Sequence, residues 1–288
     1  MRLAVIANIL PSFCRSDNFI EQEKCCIQGL LKSGITIVEE EDSPDRALLI
    51  FDGGVGSIDV VNSLYKRGIP SSPSLKSMEF YRKKMAQNKA VSAAGVLAPK
   101  TMKIGYGTSF EEVASSLGVP FCTKPDCGYG SAQLRFVRNH EDFHPRSGFI
   151  AQQVVGRPGI DISVALVKNE PVAAFKRVNQ DHSTPLTAYG NGRRNLFPDC
   201  VFEKYHIDQE IKTIAEKIAT VFENELSMVN LLISRNGILY FNELNQMANL
   251  VNFQKLCNVN PYELYGRKIK DIGNAYKSQT GHNSRPGK

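Results

Sequence analysis

The stretch Ser227–Leu250, SMVNLLISRNGILYFNELNQMANL, constrains this chain more than any other. Two short apolar runs, Met228–Ile233 and Ile238–Phe241, flank Ser-Arg-Asn-Gly, a strong turn signal. Asn236-Gly237 is the dipeptide preferred in two-residue hairpin loops, because both central positions of such a turn need positive φ. With those two at the turn, Arg235 pairs with Ile238, Asn230 lies opposite Glu243, and Met228 lies opposite Asn245. Side chains alternate along a strand, so Asn230, Glu243 and Asn245 project from one face. Opposed pairs have Cβ atoms roughly 5 Å apart, which suits oxygen ligands converging on a small hard cation. The same pattern also describes an amphipathic hairpin with its polar groups in solvent, so the rest of the chain must decide.

At 288 residues the chain can bury a substantial core in two or three lobes. Its 42% hydrophobic and 22% charged content exclude disordered and collagen-like classes. A net charge of +6 fits acidic ligands such as nucleotides. The densest basic run is only Arg82-Lys83-Lys84, so no nucleic-acid surface is expected. Seven cysteines without metal-ligand spacing read as reduced thiols of a cytoplasmic protein. The N-terminal LAVIANIL run is too short to span a membrane and lacks the flanks of a signal peptide. It reads as a buried strand.

Strands at Leu3–Ile9, Ile35–Val38 and Ala47–Phe51 alternate with helices at Phe19–Lys32 and Ser57–Lys66. That pattern predicts a doubly wound α/β unit over residues 1–75, with ligand loops after Ile9 and Phe51. The Asp52–Gly56 loop lacks GxGxxG spacing and reads as a tight turn. A helix over Ser77–Ala94 should stop at Gly95, with Pro99 beyond it. Next come a strand at Lys100–Ile104, a helix at Ser109–Leu117 and a strand at Phe121–Lys124. The glycine loop that follows can fold backbone N–H groups over phosphates, and Gln133–Val137 returns as a strand. Phe149–Val155 is β-like, and Ile162–Val167 with Pro171–Val178 form a hairpin. The polar stretch 179–199 has little periodicity and reads as functional or mobile. Asp208–Leu226 is the clearest helix, striped by Ile211, Ala215, Ile218 and Phe222. A last helix begins at Asn260, and residues 274–288 are expected to be a disordered tail.

Taken in order, these pieces resemble the ATP-grasp superfamily over essentially the whole chain, up to residue 273. The likeness is to its carboxylate–amine ligases, namely ribosomal-protein glutamate ligases and D-alanine–D-alanine ligases. Tyr240-Phe241-Asn242-Glu243-Leu244-Asn245-Gln246-Met247 is similar to the metal segment of the latter. Lys84, eleven residues before Gly95, matches the first nucleotide lysine of the former, with Lys89 as rival. The resemblance implies an α/β protein of ATP-grasp fold. Its parts would be an N-terminal domain (1–75), a small lobe (76–152) and a C-terminal lobe carrying the metal hairpin (153–273).

The same resemblance implies roles. Lys84 and Lys124 would neutralise nucleotide phosphates, a task suited to a point charge on a flexible stem. Gly128, Gly130 and Ser131 would form a flap over the triphosphate. Gln153 and Val154 would read the adenine edge at a hinge, Gln153 standing where the family more often has Glu. Asp161 would meet the ribose hydroxyls, or else pair on its own hairpin. Arg177 would stabilise charge on the transferring phosphoryl group, with Lys176 facing the other side of the strand. Arg193 and Arg194 would grip a substrate carboxylate or stay solvated. Glu243, Asn245 and Asn230 would hold Mg²⁺, or Mn²⁺ in its place. Relatives carry an acid where this chain has Asn230, so the amide keeps an oxygen and removes a charge, leaving one or two metals open.

The implied reaction begins with a carboxylate attacking the γ-phosphorus of ATP, giving an acyl phosphate that an amine converts to an amide. The substrates would be amino acids or a peptide, and homo-oligomers are common among such ligases. Within the same fold, a kinase phosphorylating a small molecule is the alternative. Asn230 motivates another, a nucleotide-binding regulatory protein with a weakened metal site.

Overall fold

The computed structural model describes residues 1–6, 17–50, 55–127, 133–155, 160–179 and 200–279. The first sheet is built from β1 (Arg2–Ile6), β2 (Thr36–Val38), β3 (Arg46–Leu49) and β4 (Ser71–Ser72), in the order β2-β1-β3-β4 and all parallel. The helices α1 (Asp17–Lys32) and α2 (Val55–Lys66) alternate with these strands. Leu3 and Ala4 are both buried but join different core clusters, so β1 is covered on both faces. That is why its sequence is a continuous apolar run. The loops expected to carry ligand, after Ile9 and Phe51, lie outside the described residues.

A second, antiparallel sheet takes β5 (Thr101–Ile104), β6 (Phe121–Pro125), β7 (Arg135–Val137) and β8 (Phe149–Gln153) in the order β5-β8-β6-β7. The helix α5 (Phe110–Leu117) packs here, started by Ser109, whose hydroxyl accepts from the Glu112 N–H. Such caps satisfy amide groups that have no partner in the first turn.

The helix expected over Ser77–Ala94 is two helices, α3 (Leu75–Met78) and α4 (Lys84–Ala93), separated by Arg82 at φ +56°. The cause lies just past β6, at Asp126. The Lys84 N–H donates to the Asp126 carbonyl (3.1 Å) and the Met85 N–H to the Asp126 carboxylate (2.8 Å). A partner 41 residues away therefore fixes where α4 starts.

The third sheet holds β9 (Ile160–Val167), β10 (Glu170–Asn179), β11 (Cys200–Tyr205), β12 (Leu226–Ile233) and β13 (Leu239–Asn245), antiparallel in the order β11-β10-β9-β12-β13. Its α6 (Gln209–Phe222) lays Ile211, Ala215, Ile218 and Phe222 against Ile162, Val164, Val229 and Phe241. This helix was expected to reach Leu226; instead Glu223 adopts φ +49° and Leu226 opens β12. The opposite face buries Ala165, Val167, Phe175 and Leu226 against α1, α7 (Val251–Cys257) and α8 (Pro261–Gln279). Further along β9 that same face turns polar, at Asp161 and Ser163, because side chains two apart share a face.

Neither β11 nor α7 was anticipated. A six-residue strand just after a polar stretch acquires its hydrogen bonds from β10, and seven residues of α7 are too few for a helical period to stand out. The helix α8 runs to Gln279, so 274–279 are helical rather than a disordered tail. Among the described residues no helix is long and apolar enough to cross a membrane.

Candidate active site

The hairpin joining β12 and β13 turns one residue away from its expected register. The Ser234 N–H donates to the Ile238 carbonyl (2.8 Å), and the Ile238 N–H returns to the Ser234 hydroxyl (3.0 Å). Ser234 therefore faces Ile238, and the expected Arg235–Ile238 pairing does not form. Gly237 alone in the loop takes positive φ, at +81°. This is a three-residue loop closed by a left-handed glycine, not the two-residue turn that Asn-Gly signals. A second irregularity, between Asn230 and Leu231, inserts one residue into β13. Bulges of this kind re-aim side chains and recur beside active sites. The offsets cancel, and Asn230 pairs with Glu243 and Met228 with Asn245, as expected.

Glu243 Oε1 accepts from two amides, Asn230 Nδ2 at 3.3 Å and Asn245 Nδ2 at 3.4 Å. Asn230 is only 8% exposed, and its Oδ1 accepts from the Ser163 hydroxyl at 3.1 Å. Ser163 had no mark in the sequence. A serine within an apolar strand carries no periodic signal, and only the β9–β12 register places it opposite Asn230.

Arg177 on β10 lies directly opposite Asp161 on β9. Its Nε donates to Asp161 Oδ1 at 3.0 Å, and its Nη2 donates to Oδ2, a bidentate pair. Asp161 is 2% exposed. Burial pushes its carboxyl above the usual range, Arg177 pulls it back without fully offsetting this, and Glu243 adds a smaller upward push. Asp161 thus pairs on its own hairpin, both of its oxygens facing Arg177. Lys176 points away and forms an ion pair with Glu203 (2.8 Å).

Lys124, 7% exposed on β6, and Lys84 at the start of α4 share one electrostatic neighbourhood. Burial lowers the Lys84 ammonium pKa; Lys124 lowers it too, while Glu243, Asp126 and Cys127 oppose the shift. Lys89, the rival lysine, is exposed. A contact unread in the sequence carries Lys84 to Glu243. Gln87, on α4, donates to the Leu244 carbonyl (3.2 Å) and accepts from the Leu244 N–H (3.0 Å), clamping the helix onto β13.

Gln153 ends β8 with its N–H on the Lys100 carbonyl (2.9 Å), and Val154 follows, both partly exposed. Beneath them Asn88 (2.8 Å) and Gln152 (3.1 Å) donate to the Thr101 hydroxyl. Gly128, Gly130, Ser131, Arg193 and Arg194 lie outside the described residues.

Among the described residues no three His, Cys, Asp or Glu side chains gather to hold a metal. The donor set still suits Mg²⁺, which binds through one or two carboxylates and completes its shell with water and substrate phosphates. Glu243 would supply that carboxylate, and the Asn245 amide would add a hard oxygen.

Residues 146–263 match the model of the RimK-like ATP-grasp domain. The chain has the ATP-grasp fold. A comparison with curated proteins returns no match. Among solved structures, the D-alanine–D-alanine ligase from Bacillus anthracis is 18% identical, with a TM-score of 0.69 over 97% of this chain and 99% of that one. The macrocyclase MdnC bound with precursor peptide MdnA from Microcystis aeruginosa MRC is 10% identical, with a TM-score of 0.67 over 94% and 100%. A RimK domain ATP-grasp protein from Sphaerobacter thermophilus is 13% identical, with a TM-score of 0.62 over 92% and 98%. These likenesses establish the ATP-grasp fold across nearly the whole chain.

Proposed function

We propose that this protein is an ATP- and Mg²⁺-dependent ligase that joins a carboxylate to an amine through an acyl phosphate, with an amino acid or a peptide as substrate. The carrying observation is the convergence of Lys84 and Lys124 with Glu243, brought together by the Gln87 clamp. Two cations beside a carboxylate oriented by two amide N–H₂ groups suit a triphosphate and its counter-ion. Peptide precursors occupy two of the similar structures, MdnC and the ATP-grasp ligase PsnB, which supports the peptide end of the range.

On this reading Lys84 and Lys124 neutralise the phosphates, and Glu243 and Asn245 hold the cation. Mg²⁺, or Mn²⁺, supplies charge neutralisation on the phosphate oxygens when bound. Arg177 aims a guanidinium at the transferring group, and Asp161 holds its orientation. Gln153 and Val154 offer backbone groups to the adenine edge. Domains of 1–75, 76–152 and 153–273 accord with the spans of the three sheets, and cysteines without metal-ligand spacing accord with reduced thiols in a cytoplasmic setting.

Phosphate release measured over a panel of amino acids and short peptides tests the proposal. Release that requires both a carboxylate and an amine, and that Glu243→Ala abolishes, is the expected result. A phosphorylated product without amide formation would mark a kinase. Nucleotide binding with no ADP from any substrate would favour a regulatory protein.

A further inference from the structure

We infer that Asn230 is not a metal ligand but a positioning residue, locked by Ser163, that turns the Glu243 carboxylate toward a single cation. This inference rests on the nucleotide–metal reading of the site given above.

An amide has one acceptor end and one donor end, and the surroundings of Asn230 use both. Its Oδ1 accepts from the Ser163 hydroxyl at 3.1 Å, and its Nδ2 faces Glu243 Oε1 at 3.3 Å. Swapping the two ends would set an amide oxygen against a carboxylate oxygen, so the charge on Glu243 dictates the orientation. Ser163 then reinforces it from the far side, within a site where both Ser163 and Asn230 are buried. Asn245 donates to that same Oε1 at 3.4 Å. These contacts are long, as hydrogen bonds of unliganded sites often are. With two amides on Oε1, Oε2 is left to meet a cation.

An acid at position 230 would behave differently. Two carboxylates on directly opposed strand positions have Cβ atoms roughly 5 Å apart and repel until a cation sits between them. The neutral amide removes that repulsion, and with it the second anionic group that a second cation would need.

Mn²⁺ binding followed by electron paramagnetic resonance, with a non-hydrolysable ATP analogue present, tests the inference without turnover. The wild-type protein should take up one tightly held Mn²⁺ per chain. Ser163→Ala touches no ligand, yet it should weaken Mn²⁺ by about tenfold, the low end of outer-residue effects. Asn230→Ala should lose about 10- to 100-fold. The double variant should be no worse than Asn230→Ala, because both act through one orientation, and Ser163→Thr should restore binding. Unchanged affinity of the metal-free variants for the analogue certifies their fold. Wild-type Mn²⁺ affinity in Ser163→Ala, losses that add in the double variant, or two tightly held Mn²⁺ per wild-type chain would overturn the inference. No Mn²⁺ or analogue binding by the wild-type protein would overturn the nucleotide reading beneath it as well.

Discussion

Asn230 lies directly opposite Glu243 because two one-residue departures from ideal hairpin geometry cancel between them. The loop of Arg235, Asn236 and Gly237 shifts the register one way, and the inserted residue in β13 shifts it back. In an unbulged hairpin with this loop, Asn230 would pair with the residue before Glu243. A one-residue slip exchanges the two faces of a strand, so the bulge is what keeps the carboxylate on the polar face.

Gly237 should be costly to replace. Its φ of +81° is strained for any residue with a Cβ, while a Cβ there would meet no heavy atom within 4 Å. Gly237→Ala should therefore cost about 1 kcal/mol, all of it backbone strain. Asn, which tolerates the left-handed region better, should cost less. Urea unfolding midpoints of the two variants check the order.

Nucleotide affinity should separate the lysines. On the proposed nucleotide reading, Lys84→Met and Lys124→Met should each remove a charged phosphate donor, worth about 1.5–3 kcal/mol, or roughly a 10- to 150-fold loss of ATP affinity. Lys89→Met, on the exposed side of α4, should bind as the wild type does. Calorimetric titration with ATP and Mg²⁺ measures all three, and a loss in Lys89→Met alone would reverse the assignment.

Arg177→Ala should destabilise the fold as well as the chemistry. It leaves Asp161, 2% exposed, without its counter-charge, and breaking a buried pair from one side costs about 3–5 kcal/mol. Adding Asp161→Asn removes the stranded charge and should recover much of that stability without recovering activity. Denaturant unfolding of the single and double variants, beside their ADP formation, distinguishes the two effects.

Acid should loosen a joint far from the site. Glu225 accepts from Arg46 (2.6 Å), Tyr265 (2.9 Å) and Lys168, tying β3, α8 and the β9–β10 turn together. Burial alone would raise its pKa, but Arg46, Lys168 and the Tyr265 hydroxyl outweigh it and the carboxyl falls below its ordinary 4.5. A depressed folded value means stability that is full above that ordinary value and is lost as pH falls through the lowered one. Glu225→Gln should be less stable at neutral pH and should flatten the acid limb of a stability-against-pH curve. An unchanged acid limb would show that the joint is not coupled to protonation.

Much of this molecule is legible in its residues because the relevant signals are local. The alternating strands and helices of the first sheet, the caps at Ser109 and Asp208, the stripe of α6 and the shared face of Glu243 and Asn245 follow from periods of two and 3.6 and from side chains reaching their own backbone. What the tertiary structure alone decided involves partners far apart in the chain. Asp126 starts α4, Gln87 brings Lys84 to Glu243, Arg177 claims Asp161, and Ser163 orients Asn230. Each depends on registers and approaches set by packing whole elements, where a shift of one residue changes the partner without changing the local pattern.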